Sequence, residues 1–194
     1  MSHQIPHFET IAAIIPNYDE TGDTTRIITT DGASKISPSR IRTVVRRLAF
    51  SRALDLTALK KQSSHATQRA IMQPLPLAPG LLLCPVKVRT PLVAGDTSTG
   101  YINFYAVKSV ETSCQKPYQS VVKLSGGASI PVLWTASTVN RYLQYARLAL
   151  TYSQPYSQSR GVNEQTQAYA PELVPIIQKF VEVICDIVTL KQKP

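Results

Sequence analysis

Acidic side chains are nearly missing from one third of this chain. Between Arg26 and Arg89 there are two, Asp31 and Asp55, and elsewhere they are scattered, which leaves paired-carboxylate catalysis little to work with. Cysteine is scarce as well. Cys84, Cys114 and Cys185 are odd in number and far apart, which fits reduced thiols of a cytosolic protein better than a disulfide framework. No apolar run approaches the ~18 to 20 residues that would span a bilayer. The opening Met1-Ser-His-Gln-Ile-Pro-His lacks a charged segment followed by an apolar one, so a signal peptide is not expected. A phosphate-binding loop, a dinucleotide fingerprint and a Ser/His/Asp set are all absent.

Two fragments that could suggest chemistry read more simply. Gly95-Asp-Thr-Ser-Thr-Gly has the letters of an aspartic-protease loop at the wrong spacing and without a second carboxylate loop, so it is ordinary turn sequence. His65 has no cysteine at ligand spacing and reads as a solvated or DNA-facing histidine. The expectations are no enzyme, no metal, no cofactor and no membrane, in a cytoplasmic protein.

What is present is positive charge, unevenly distributed. The stretch from Arg26 to Arg89 holds twelve Lys and Arg, a local net of +10. The first 25 residues carry four acids and no Lys or Arg, and residues 90–194 carry nine bases against six acids. Such a field attracts polyanions and speeds their association at low salt. The segment is richer in arginine than in lysine, and the flat guanidinium fork suits phosphates and base edges. Nucleic acid is therefore the leading partner, with a merely solvating basic face and an acidic protein partner as the alternatives.

The 194 residues, 43 % of them hydrophobic, suit one domain of fair size, or one domain over 1–152 plus a docked appendage. The pattern predicts an α+β fold with a largely antiparallel β core, flanking helices and a C-terminal hydrophobic helix. Ile11 to Ile15 reads as a strand closed by Pro16. A hairpin near 25–36 turns at Asp31-Gly32, a pair suited to a type I′ turn. Ser37-Pro38 reads as a helix N-cap followed by proline. The apolar spacing of Ile41, Val44, Val45, Leu48 and Ala49 then predicts a helix from about Pro38 to Ala53. A weaker helical stretch covers 54–70. Pro74, Pro76 and Pro79 impose extended chain. Gly80 to Val86 reads as a buried strand, 87–99 as a polar loop and Tyr101 to Glu111 as one β segment. A second hairpin near 120–133 turns at Gly126-Gly127, and a helix follows from Thr135 to about Tyr152. Residues 153–170 read as a linker, and 171–194 hold a helix apolar around most of its circumference.

The order of these parts resembles the ComK family, the competence transcription factors of Gram-positive bacteria. Four stretches carry the resemblance: Arg46-Arg-Leu-Ala-Phe-Ser; Gln73-Pro-Leu-Pro-Leu-Ala-Pro-Gly-Leu-Leu-Leu-Cys-Pro; Arg89-Thr-Pro followed by Gly100-Tyr-Ile-Asn; and Val122-Lys-Leu-Ser-Gly-Gly-Ala-Ser-Ile-Pro-Val with Arg141-Tyr-Leu in the next helix. The specific element is their order over roughly 120 residues, from about Thr29 to Leu148. The ending is also similar to LytTR-type DNA-binding domains, although Leu133-Trp134-Thr135 stands where those carry basic residues. The resemblance implies a bacterial, nucleoid-associated regulator that binds A/T-rich boxes in double-stranded DNA as a dimer or multimer. Ala168-Tyr-Ala-Pro stands where the competence factors have an apolar segment read by a proteolytic adaptor, so adaptor control stays open.

Candidate DNA contacts are Arg40, Arg42, Arg46, Arg47, Arg52, Lys60, Lys61, Arg69, Lys87 and Arg89, with Thr97, Ser98 and Thr99 as phosphate-bonding hydroxyls. Arg42 could instead pack its stem beside the apolar stripe. Tyr101, Phe104, Tyr105 and Trp134 read as core or cross-strand residues rather than base-stacking ones. Ile177, Phe180, Ile184 and Ile187 are the candidate homo-oligomerisation surface, the alternative being packing onto the chain's own domain. A nucleic-acid module without regulatory action, binding RNA or single strands, is the competing function.

Overall fold

A computed structural model of the chain describes residues 6–20 and 22–153. The expected linker, the C-terminal helix and its residues Ile177, Phe180, Ile184 and Ile187 lie outside the described residues. The described part is α+β and has three layers. Its centre is a six-stranded antiparallel sheet in the order β3-β2-β1-β6-β5-β4. The strands are β1 (Ile11–Asp19), β2 (Gly22–Thr29), β3 (Ser34–Ser37), β4 (Leu75–Ala78), β5 (Leu81–Lys87) and β6 (Thr99–Asn103). Helices α1 (Ile41–Phe50) and α2 (Leu56–Thr67) cover one face. The other face meets a three-stranded sheet, β7 (Val107–Thr112), β8 (Ser120–Leu124) and β9 (Ser129–Val132), and the helix α3 (Ala136–Ser153).

Strand alternation builds these layers. Along β5, Leu81 and Leu83 point to the α1 and α2 layer, whereas Leu82, Cys84 and Val86 point to the opposite one. Burial on both faces explains why this stretch reads as continuous apolar sequence rather than as an alternation. In β1 the pairing slips between Ile11 and Ala13, so Ile11 and Ile14 share one face while Ala12 and Ala13 share the other. α1 buries Ile41, Val44, Val45, Leu48 and Ala49, the five apolar positions that predicted it.

Several expected boundaries moved. Pro16 does not close β1, which runs on to Asp19. The bonds from β1 to β6 stop at Ile14, so the missing N–H of Pro16 costs no ladder bond on that side. Ser37 is not the N-cap of α1. It is buried, pairs with Thr25 at the end of β3, and leaves Arg40 in the capping position without a side-chain cap bond. The Thr25 hydroxyl donates to the Ser39 carbonyl (2.7 Å), so the sheet holds the chain through residue 39 and the helix starts at Ile41. α2 starts at Leu56 within the expected helical stretch and is capped by Asp55, whose carboxylate accepts from the Thr57 N–H at 2.7 Å.

The first hairpin does not use a type I′ turn. Gly32 has a positive φ of 88° but Asp31 does not, and the Gly32 N–H donates to the Thr29 carbonyl (2.9 Å). The Asp31 carboxylate instead accepts from the Thr29 hydroxyl and the Ala33 N–H, which holds Asp31 in an ordinary turn conformation. The expected single β segment from Tyr101 to Glu111 is broken by a short 3-10 turn, Phe104–Ala106, which passes the chain from the large sheet to the small one. Asn103 makes that break. Its buried amide donates to the Ile11 and Gly80 carbonyls and accepts from the Leu82 and Tyr105 N–H groups.

Candidate nucleic-acid interface

Because α1 is buried on one side only, its remaining residues form two exposed rows. Arg42, Arg46 and Phe50 fall at i, i+4 and i+8, and Thr43 and Arg47 form the row beside them. α2 presents Lys60, Lys61 and His65 to solvent. Between the helices and the β5–β6 strands lies a groove of about 380 Å³, lined by Arg42, Arg46, Lys60, Thr97, Thr99 and Tyr101 among others. A second hollow of about 330 Å³ shares Arg46 and Lys60 with it and adds Phe50, Asp55 and Thr57. The two hollows adjoin at Arg46, Leu56 and Lys60, giving a track whose walls carry Arg42, Arg46 and Lys60 among apolar side chains such as Ile41, Val45, Leu54, Leu56 and Met72. From Arg42 to Phe50 it extends about 12 Å along the helix, at 1.5 Å per residue.

The half-buried Tyr101 lies in this groove. Burial raises the pKa of its phenol, and the nearby Arg42 charge partly opposes that shift. The hydroxyl is thus a neutral hydrogen-bonding group at neutral pH, set among cations.

Five of the expected contacts, Arg42, Arg46, Lys60, Thr97 and Thr99, come together in the groove. Others sit around it. The Arg47 guanidinium donates to the Ser39 hydroxyl (3.3 Å), and Arg52 lies over the Phe8 ring at 4.1 Å, both along a hollow on the far side of α1. Arg40 is exposed at the start of α1, with its Nε 3.9 Å from Asp23. Lys61 is exposed on α2. Lys87 is half-buried and donates to the Ser98 hydroxyl at 2.6 Å, so each occupies the other.

Two further expected contacts, Arg89 and Arg69, are engaged within the fold. Arg89 is buried: it pairs with Asp23, donates to the Thr97 carbonyl (3.0 Å) and lies 3.8 Å above the Tyr18 ring. Its charge answers an aspartate whose side chain is only 4 % exposed. The Tyr18 hydroxyl in turn donates to Asp96 (2.8 Å) and accepts from the Leu92 N–H (3.0 Å). Together these groups tie the 88–98 loop to the β1–β2 hairpin. Arg69 follows α2, half-buried, with its guanidinium 5.5 Å from the Tyr142 ring and 5.2 Å from the Tyr145 ring, clasping α3. A count of basic residues cannot separate these two from their exposed neighbours, because their partners, Asp23 and Tyr145, are distant in sequence.

No known family model, curated protein or solved structure matches this chain. Among the described residues no three His, Cys, Asp or Glu side chains gather as a metal ion would need, and no helix is long and apolar enough to cross a membrane. The groove offers cations, hydroxyls and one phenol, and no exposed nucleophile paired with a base. That set can hold phosphates and sugar edges.

Several large apolar residues are exposed, among them Ile71, Leu92 and Phe50, and Phe50 is the one beside the cationic groove. Phe50 is 83 % exposed and ends the Arg42–Arg46 row. The apolar stripe at 41, 44, 45, 48 and 49 already excludes position 50, so the signal was present.

Proposed function

We propose that this protein binds A/T-rich double-stranded DNA as a dimer or multimer and regulates transcription in the manner of the ComK family it resembles. The observation that carries the reading is the track between α1 and α2, where Arg42, Arg46 and Lys60 converge with Thr97, Thr99 and Tyr101 and no carboxylate but Asp55 intervenes. An A/T-rich minor groove is narrow and strongly negative, which favours a row of arginines placed along the phosphates that flank it. The span of about 12 Å corresponds to three or four base-pair rises at 3.4 Å, enough for a short box.

The track makes a quantitative demand. If the three cations of the track, Arg42, Arg46 and Lys60, each meet a phosphate, the log–log salt slope is about −2.7, at −0.9 per contact. Affinity then falls about 40-fold between 50 and 200 mM salt. Fluorescence-anisotropy titration over that range tests it, and each of Arg42→Ala, Arg46→Ala and Lys60→Ala should flatten the slope by about 0.9. A slope near zero, or three variants that all bind as the parent does, would remove the track from the binding surface.

A further inference from the structure

We infer that Phe50 is a wedge that enters the bound duplex at a single base step. The inference rests on the DNA reading and adds to it the residue that contacts the bases. Phe50 is 83 % exposed although it belongs to a helix whose other apolar residues are buried. Its ring ends the row begun by Arg42 and Arg46, and it lines a hollow with Arg46, Lys60, Asp55 and Thr57.

Charge and surroundings select the occupant. A protein-docking hot spot is an apolar anchor ringed by further apolar surface. Here the hollow is shared with the exposed Arg46, Lys60, Thr57 and Asp55, while its other apolar members, Leu54 and Leu56, are half-buried and Ala49 is buried. An aromatic ring flanked by cations fits a base stack flanked by phosphates. The α1 carbonyl end, which would otherwise repel phosphate, is already capped: the Ala49 carbonyl accepts from the Arg52 and Leu54 N–H groups, and the Phe50 carbonyl from the Ala53 N–H. The end of the row can therefore approach the duplex while Arg42 and Arg46, about 12 and 6 Å back along the helix, meet its backbone. Apolar side chains inserted from the minor groove unstack a step, and pyrimidine–purine steps such as TA yield most easily.

The test uses the full chain, its Phe50→Ala and Phe50→Leu variants, and A/T-rich duplexes carrying 2-aminopurine at each adenine in turn. Binding is followed by anisotropy and unstacking by 2-aminopurine fluorescence. The expected result is a several-fold fluorescence rise confined to one step, lost in Phe50→Ala and partly kept in Phe50→Leu. Affinity should fall about tenfold in Phe50→Ala, within the range for loss of one stacked base, with the salt slope unaltered because no charge is removed. A rise that persists in Phe50→Ala, or an Ala variant that binds as the parent does, overturns the wedge while leaving the DNA reading standing. Equal binding of single strands and duplex, with the Phe50 effect confined to the single strand, also overturns it. No anisotropy change with any duplex at low salt overturns both. A changed oligomeric state in Phe50→Ala assigns the ring to self-association and overturns the wedge.

Discussion

Replacing Arg89 by alanine should cost the fold far more than it costs DNA binding. The change strips Asp23, with its side chain 4 % exposed, of its closest counter-charge and removes the guanidinium that lies on Tyr18 and bonds the Thr97 carbonyl. Breaking a buried ion pair on one side generally costs 3–5 kcal/mol, since the surviving charge stays buried and unpaired. Two features place this case at about 3 kcal/mol, the lower end of that range. Arg40 remains 3.9 Å from Asp23, and one Arg89 nitrogen, Nη1, is buried without a hydrogen-bond partner among the described residues, so its removal relieves a cost. With a urea m-value of about 2 kcal/mol/M the midpoint falls by about 1.5 M. The fluorescence of Trp134, the sole tryptophan, stacked on Tyr142 at 4.5 Å, follows this unit. The double variant Asp23→Asn with Arg89→Met should recover part of the loss, because the buried carboxylate is then gone. A loss below about 1 kcal/mol in Arg89→Ala, together with a flattened salt slope for DNA, would refute the structural role and return Arg89 to the binding surface.

Other expected outcomes follow from the same geometry. Asn103→Ala removes an amide that serves four backbone groups and should lower stability by about 3 kcal/mol in the same urea assay, as several buried polar groups lose their partner at once. In Gly126→Ala the new Cβ would lie 2.5 Å from the Thr30 carbonyl oxygen and from the Gly32 nitrogen, backbone that cannot swing aside, so about 2 kcal/mol is expected to be lost. Gly127→Ala meets open space and bears only the strain of its φ of 82°, about 1 kcal/mol, and the order of the two variants in thermal unfolding checks the assignment. Burial pushes the Cys84 thiol up to about 12, so at pH 8 a chain with Cys114 and Cys185 replaced by serine should resist a thiol reagent until urea unfolds it. Prompt labelling of the folded protein would contradict that burial.

Local signals carried much of the fold. The five-residue apolar stripe of α1, the proline-bounded β4 and the Gly126-Gly127 turn are each short-range patterns, and all three form where the sequence puts them. What escaped was decided at a distance. Asn103 reaches residues 92 and 21 positions away, and its bonds divide an otherwise uniform β segment between two sheets. The same holds within the site. Arg42, Arg46 and Arg89 are indistinguishable as letters, yet the first two line a groove and the third answers an aspartate 66 positions earlier. Phe50 is the converse case: its exposure was implied by helical phase, but a phenylalanine invites assignment to the core.

The central claim is that the α1–α2 track reads A/T-rich duplex DNA. Anisotropy titration of the full chain against an A/T-box duplex and a G/C-scrambled duplex of equal length, at 50 and 200 mM salt, tests it most directly. Tight, steeply salt-dependent binding to the first duplex and distinctly weaker binding to the second are expected at both salts. Equal affinity for the two would reduce the arginine field to non-specific attraction, and no binding to either at 50 mM would contradict the claim outright.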